Sequence, residues 1–371
     1  MQAAHTEPPA CGENNPAQTP HWRRLPIMWV LVGVVGFIVM PTVWSAVSSM
    51  GPSQWIAALA LGLVFAPLAI SVFLTFRVLD FPDLTVDASF PAGGAMAAAL
   101  TVAGIQPWLT LPAAMALGAL LGATTGLLHI FLRINSLLAS IITLTAAFTI
   151  NIRIQGSSNV SLIGVDRIFT PLTGPVKDQL ESWFGDTGIQ IHRASVTSIV
   201  TLVVVVGVVL MLRWFFKTEV GLALRATGAN VAMSRSQGIN TSGYLVGGIA
   251  LSNSLAALTG ALFVHHEGFA DVNSGRGLIV AGLASVIIGE VLFLRHQSSI
   301  LGHIIAVALG MIVYRIAIAL ALNATLTFPG VGEARLEGTD IKLATAAIVA
   351  IMLAFPRLRA AQADRQRRRN R

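Results

Sequence analysis

Charge is scarce in this sequence. Only 11% of its 371 residues are Asp, Glu, Lys or Arg, where a soluble domain carries about 25%. With 54% hydrophobic residues and a mean hydropathy of +0.74, the chain is too apolar for intrinsic disorder and for an ordinary soluble enzyme. Cysteine is almost missing. Cys11 stands alone, so no intramolecular disulfide forms. It sits in a polar leader punctuated by Pro8, Pro9, Pro16 and Pro20, and reads as a free thiol rather than a lipid anchor or a nucleophile. The three lysines (177, 217 and 342) follow no glycine-rich phosphate loop, which excludes nucleotide hydrolysis by the P-loop route. Neither H-E-x-x-H nor G-x-S-x-G occurs, and no Cys/His spacing suits zinc. His265 and His266 are adjacent and so do not share one helix face. No catalytic residue, metal site or cofactor is expected.

What charge there is lies unevenly. The formal net charge is +7, but the segment from Arg357 to Arg371 holds seven arginines and one acid, leaving +1 for the other 356 residues. The basicity is one terminal block. It points to membrane orientation and not to a nucleic-acid partner.

Apolar runs dominate the rest. A bilayer core of about 30 Å needs roughly 20 apolar residues as helix. Ten runs qualify, at about 27–49, 55–76, 86–105, 107–132, 134–152, 196–216, 243–265, 277–294, 299–322 and 341–356. The third, rich in Ala and Gly and interrupted by Pro91, and the short tenth are the weakest. The first starts near Ile27 and is long enough to span, which fits a cleaved signal peptide poorly. Arg23 and Arg24 before the first run and the arginine block after the last place both ends in the cytoplasm, which requires an even count. The sequence therefore predicts an all-α, polytopic membrane protein of about ten spans, N-in and C-in. A disordered polar leader (1–25) and a basic cytoplasmic tail (357–371) flank a transmembrane domain (26–356). The loop 153–195 falls outside and the loop 217–242 inside.

Four features within this frame are candidates for function. In the inner loop, residues 229–237 can form a short helix, with Gly228 before it and Gly238 as its C-cap. In the fourth span, Gly118, Gly122 and Gly126 make an i, i+4, i+8 ladder for close helix approach. Arg315 lies at membrane depth. Either it snorkels or pairs with a loop acid such as Asp271, or it offers a cationic site to an anionic substrate group. Glu290 reads as an interface residue. The stretch from Arg77 to Gly94 holds Asp80, Asp83 and Asp87 with Pro82 and Pro91. Prolines free backbone groups, and freed groups at membrane depth need protein or a wet cavity beside them. The stretch is thus either a plain cytoplasmic loop or a broken segment lining a path. In the second case Asp80, Asp83, Asp87, Gly93 and Gly94 form the path, its acids meet a substrate amine, and Arg315 contributes.

The inner loop ending Ala-Leu-Arg-Ala-Thr-Gly228, then Gly238-Ile-Asn, and the small-residue run from Leu251 to Gly260 resemble permeases of the branched-chain amino-acid and ribose type of ABC importer. The stretches Leu79–Asp87, Gly268–Val272, Gly282–Glu290 and Asp340–Lys342 are similar to the tryptophan/tyrosine-type subgroup of those permeases. The resemblance covers about residues 55–356. It implies a multi-pass inner-membrane permease, a homodimer in the lipid bilayer, and a path for a small solute such as an amino acid or related compound. It also implies a cytoplasmic ABC ATPase dimer and an extracytoplasmic solute-binding protein. The helix near 229–237 would be the coupling helix, with Arg225, Gly228, Asn230, Met233, Arg235 and Gly238 serving ATPase docking. The competing class is a stand-alone secondary carrier or channel, which has no need of a capped, exposed helix in that loop. An intramembrane enzyme would need a nucleophile–base pair that the sequence does not offer.

The orientation is directly testable. A reporter active only outside the membrane, fused after Arg371, is expected to be silent, and an active fusion would refute the even span count.

Overall fold

A computed structural model of the chain describes residues 47–48, 50–293, 299–323, 325–328 and 332–335. The expected leader, Cys11, almost all of the first expected span, the tenth, the arginine tail, Arg295 and Lys342 lie outside the described residues. Within them the chain is helical apart from two small antiparallel ladders. The elements are α1 (Pro52–Phe73), α2 (Val86–Val102), α3 (Pro107–Leu132), α4 (Ser136–Gln155), β1 (Asn159–Ser161), α5 (Thr170–Phe215), α6 (Glu219–Ala229), α7 (Val231–Ser236), α8 (Thr241–Glu267), β2 (Phe269–Asp271), α9 (Leu278–Phe293), α10 (Ile300–Asn323), β3 (Thr325–Phe328) and β4 (Gly332–Arg335). The strands pair as β1 with β2 and β3 with β4.

Among the described residues six helical stretches are long and apolar enough to cross a bilayer: Pro52–Val78, Pro107–Leu132, Ser136–Gln155, Ile191–Phe215, Thr241–Glu267 and Ile300–Asn323. The third and eighth expected spans are occupied by the shorter α2 and α9, of 17 and 16 residues. At 1.5 Å per residue these reach about 24–26 Å, short of a hydrocarbon core of about 30 Å.

The helix α8 forms the centre, packed against α1, α2 and α3. Its pairing with α2 is parallel, because Ser89 meets Asn253 and Gly93 meets Ala257. Its pairing with α3 is antiparallel. Gly118 faces Asn253 and Ala257, Gly122 faces Ile249, and Gly126 faces Val246. A Cβ on Gly93 would fall on the Ala257 carbonyl, and one on Gly122 would press on the Ile249 carbonyl. In an apolar solvent helices gain little by hiding apolar surface, so small residues that admit close backbone contact hold them together. The outer faces of α3, α4 and α5 carry Leu120, Phe131, Leu138, Ile142, Ile199, Val203 and Leu210 outward, all exposed.

The stretch around Pro82 behaves differently from the stretch around Pro91. After α1 the chain continues into a π-helical turn, Leu74–Val78. The Phe81 amide then donates to the Thr75 carbonyl at 2.9 Å, and Asp80 takes a left-handed φ of 52°. The residue before a proline is pushed off the helical region, so the helix stops short of Pro82. Pro91, expected to interrupt the third span, lies inside α2, which runs through it. Proline there removes only the hydrogen bond to the Asp87 carbonyl, and the backbone of Gly275 packs so closely on that carbonyl and the Pro91 ring that no Cβ would fit. Burial of nearly the whole of α2 outweighs the local penalty. The break is thus confined to the non-helical residues between Val78 and Val86.

Gly122→Val forces α3 away from α8. Overpacking of this kind costs about 1–3 kcal/mol, read as a lowered thermal midpoint in detergent. Gly207→Ala, at a site with nothing within 4 Å of a new Cβ, is the matched change and is expected to shift the midpoint little.

Candidate functional site

Three polar groupings stand out: a node in the middle of the bundle and one cluster at each end.

The node begins with Asp83, which is fully buried. One carboxylate oxygen accepts from the Thr85 amide at 2.8 Å and the other from Asn253 Nδ2 at 2.7 Å. Asn253 is satisfied all round: Nδ2 also donates to the Ile249 carbonyl at 3.0 Å, and Oδ1 accepts from Ser89 Oγ at 2.8 Å. Asn253 lies midway along α8, so these bonds are made at mid-depth. Thr85 Oγ1 lies 2.7 Å from Thr125 Oγ1, which ties in α3. In the first turn of α2, Asp87 accepts from the Gly277 amide at 2.9 Å and the Ile279 amide at 2.8 Å. Those amides open α9. A single carboxylate therefore sits at the start of two helices, where orphan N–H groups and the helix dipole favour negative charge.

Asp87 also lines a cavity of about 410 Å³ with Pro91, Phe148, Asn151 and Arg276. Asn151 is fully buried there; its Nδ2 donates weakly to the Ala88 carbonyl at 3.4 Å, and its Oδ1 has no partner. The cavity thus combines an acid, an unused acceptor and apolar walls.

The expected path residues do not gather at one point. Asp83 and Asp87 flank the start of α2, Asp80 is exposed at the break, and Gly93 and Gly94 press against α8. Arg315 sits apart from them, its guanidinium 3.6 Å above the Phe65 ring. Phe65 in turn stacks on Phe90 of α2 and meets Phe263 edge-on. Asp271, the expected partner of Arg315, instead accepts from the Asn273 amide at 2.9 Å, because the turn after β2 offers that donor locally. The acid that attracts Arg315 is Glu267.

At one end lie the short helices. Asn230 joins α6 to α7 and caps α7 by accepting from the Met233 amide at 2.9 Å. Gly238 follows α7 at φ 80°. Gly228 does not precede a free helix. It belongs to the last turn of α6, and its Cα lies so close to the Val78 carbonyl that a Cβ would strike it. The expected helix at 229–237 is thus α7, trimmed to Val231–Ser236, and an unexpected helix, α6, precedes it with Asn230 as the divide. Met233 and Val231 are exposed, flanked by exposed Arg225 and by Arg235, whose Nε donates to Thr241 Oγ1 at 2.9 Å. Beside them Arg77 and Glu290 form a bidentate pair, both bonds 2.8 Å, on the wall of a cavity of about 610 Å³. At the opposite end, β1 pairs with β2 over a cavity holding Arg167, Arg193, His265, His266 and Glu267. Among the described residues no group of three His, Cys, Asp or Glu is placed to hold a metal ion.

Sequence reasoning passes over Asn253 and Asn151 as single residues. Their signal is available, since an amide inside an apolar span is costly without a partner. The loop glycines Gly275 and Gly277 leave no such signal, because their meaning depends on which helix they approach.

Asp83→Ala and Asn253→Ala are each expected to lower stability by at least about 1–3 kcal/mol. The double substitution should cost less than the two losses combined, by about 0.5–3 kcal/mol. Strict additivity in thermal unfolding would mean that the two do not act together.

Comparison with known proteins places this geometry. Residues 54–355 match the family described as branched-chain amino acid transport system, permease component. The chain is 30% identical over 299 residues to a tyrosine transport system permease protein of Clostridioides difficile, covering 81% of this chain and 90% of that one. It is 29% identical over 265 residues to the galactofuranose transporter permease of Escherichia coli, covering 70% and 71%. It is 27% identical over 238 residues to the ribose import permease of the same species, covering 62% and 67%. With the apolar helices these matches identify a multi-pass inner-membrane transport subunit: the chain belongs to the branched-chain amino-acid and ribose type of ABC importer permeases.

Proposed function

We propose that this permease carries an amino acid or related small solute inward, as a homodimer in the lipid bilayer. A separate cytoplasmic ATPase dimer supplies the energy, and an extracytoplasmic binding protein delivers the solute. The observation that carries the reading is the α6–α7 element. An exposed six-residue helix, capped by Asn230 and followed by Gly238, presents Val231 and Met233 to the outside between two arginines. Exposed apolar side chains on a rigid, charged-rimmed element suit docking into a groove of another subunit. The sequence has no phosphate loop of its own, which is consistent with ATP chemistry on that partner. The tyrosine transport relative supports an amino acid as cargo.

In this reading the α7 end faces the cytoplasm, and docking energy reaches the path through α1 and α9. Asp87 and the cavity beside it meet the solute's amine. Asp83 holds the broken segment in shape, and Asp80 stands at its inner mouth. Gly93 and Gly94 give α2 a smooth track on α8, and Arg315 supplies positive charge deeper in the bundle. The contrasting reading, a carrier without an ATPase, leaves the exposed α7 unexplained.

Gly238→Val places a β-branched residue at a left-handed position, which costs about 1 kcal/mol or more. Together with Met233→Asp it is expected to cut ATPase copurification from membranes about tenfold while the membrane fold survives. Unchanged copurification would mean that α7 is not the docking element; a wild-type chain that copurifies with no ATPase would favour the carrier.

A further inference from the structure

The cavity at the β1–β2 end is about 450 Å³ and lies between the start of α1, the segment before α5, α5 itself and the end of α8. Its size suits a small solute. Two arginines line it, Arg167 and Arg193. Among the described residues no carboxylate lies within ion-pair distance of either. Burial, and then the nearby Arg193, hold Arg167 below its ordinary pKa, so the two guanidinium groups are close enough to repel each other. Their N–H forks suit an anion, and a carboxylate accepts such a fork through two parallel bonds.

The same cavity holds an acceptor side. Thr110 Oγ1 donates to the Pro107 carbonyl at 2.6 Å, so it receives a hydrogen bond from His265 Nε2, 2.9 Å away. That assignment puts the imidazole proton on Nε2 and leaves Nδ1 as a bare lone pair. His265 is 1% exposed, and Nδ1 has no partner. Glu267 stands two residues on at the last position of α8, its carboxylate 3.9 Å from His266 Nε2. The carbonyl end of a helix also favours positive charge. Two arginines thus share one cavity with an unpartnered imidazole nitrogen and with Glu267, which Arg315 also attracts, and Ala57 and Phe169 add apolar wall.

We propose that this cavity is a binding site for the zwitterionic head of an α-amino acid, with Arg167 and Arg193 taking the carboxylate and Glu267 with His265 the ammonium. The inference rests on the amino-acid reading above and adds a site on the permease itself, at the end opposite α7. Neither a plain anion nor a plain amine satisfies both halves. A sugar, lacking full charges, would leave the arginines unpaired.

The test uses the full chain in lipid nanodiscs, with binding followed by calorimetry. The probes are L-tyrosine and L-leucine, each beside its deaminated acid and its decarboxylated amine, and inorganic phosphate. At least one amino acid is expected to bind ten times more tightly than either of its halves and than phosphate. Arg193→Gln and Glu267→Gln should each reduce it to the level of the corresponding half, with the thermal midpoint unchanged. If the acids or phosphate bind as well as the amino acids, and Glu267→Gln changes nothing, the cavity is an anion site and the proposal fails. If neither amino acid binds while the wild-type chain still copurifies with its ATPase, the cavity proposal fails and the permease reading stands. Selective amino-acid binding without any ATPase association would uphold the cavity site and refute the ATPase-coupled reading.

Discussion

A carboxylate placed at membrane depth must find hydrogen-bond donors inside the protein, and Asp83 imposes that constraint on everything around it. It has no cationic partner among the described residues. Its donors are the Thr85 amide and the Asn253 side chain. The first requires the chain to leave helix before Asp83 and re-enter it just after. The second requires α8 to present an amide at the level of the break. Ser89 then completes Asn253, and Thr125 meets Thr85. Each bond is modest on its own, but an unmet partner at this depth is costly. Four segments are therefore positioned by one acid.

Close approach makes those bonds reachable. Gly93 on α2 and the Gly118, Gly122, Gly126 ladder on α3 let both helices lie against the α8 backbone. Asn253 is sandwiched between them, with its own backbone carbonyl beside Gly118. Larger residues would move the helices apart, and hydrogen bonds of 2.7–2.8 Å would open. Packing and polar satisfaction are thus the same requirement expressed in two ways. The short α2 and α9 follow from it, since both begin beside the node and not at the bilayer surface.

Much of this is legible in the sequence. Apolar run length locates the spanning helices between Pro52 and Asn323 but misses α6 and the start of α5, which begins at Thr170 within the expected outer loop; the glycine ladder marks a tight contact without showing its partner. Asp83 and Asp87 stand out as acids beside a proline. Other parts mislead for physical reasons. Pro91 looks like a breaker because local propensity takes no account of Gly275, which arrives from more than 180 residues away to cover the freed carbonyl. Gly228 looks like the residue that precedes a short helix, whereas it lies within α6 in close contact with Val78. Asp271 looks like a partner for Arg315, but a nearby amide claims it first. Long-range pairings such as Arg77 with Glu290, Asp83 with Asn253, or Arg167 beside Arg193 have no sequence period to reveal them.

The helix α9 is held at both ends by carboxylates. At its start the amides of Gly277 and Ile279 clasp Asp87; near its finish its own Glu290 grips Arg77. A rod of 16 residues, about 24 Å long, has little axial slack when pinned in this way. Sliding along its axis would break one clasp or the other, whereas rocking about either clasp keeps both nearly intact. Arg77 belongs to the π turn whose end supports Gly228 of α6, so the lower pivot lies beside the paired short helices. The upper pivot borders the Asp87 cavity. Mechanically α9 is a connecting rod: a small sideways displacement at one pivot appears as a tilt at the other, without any helix having to unfold.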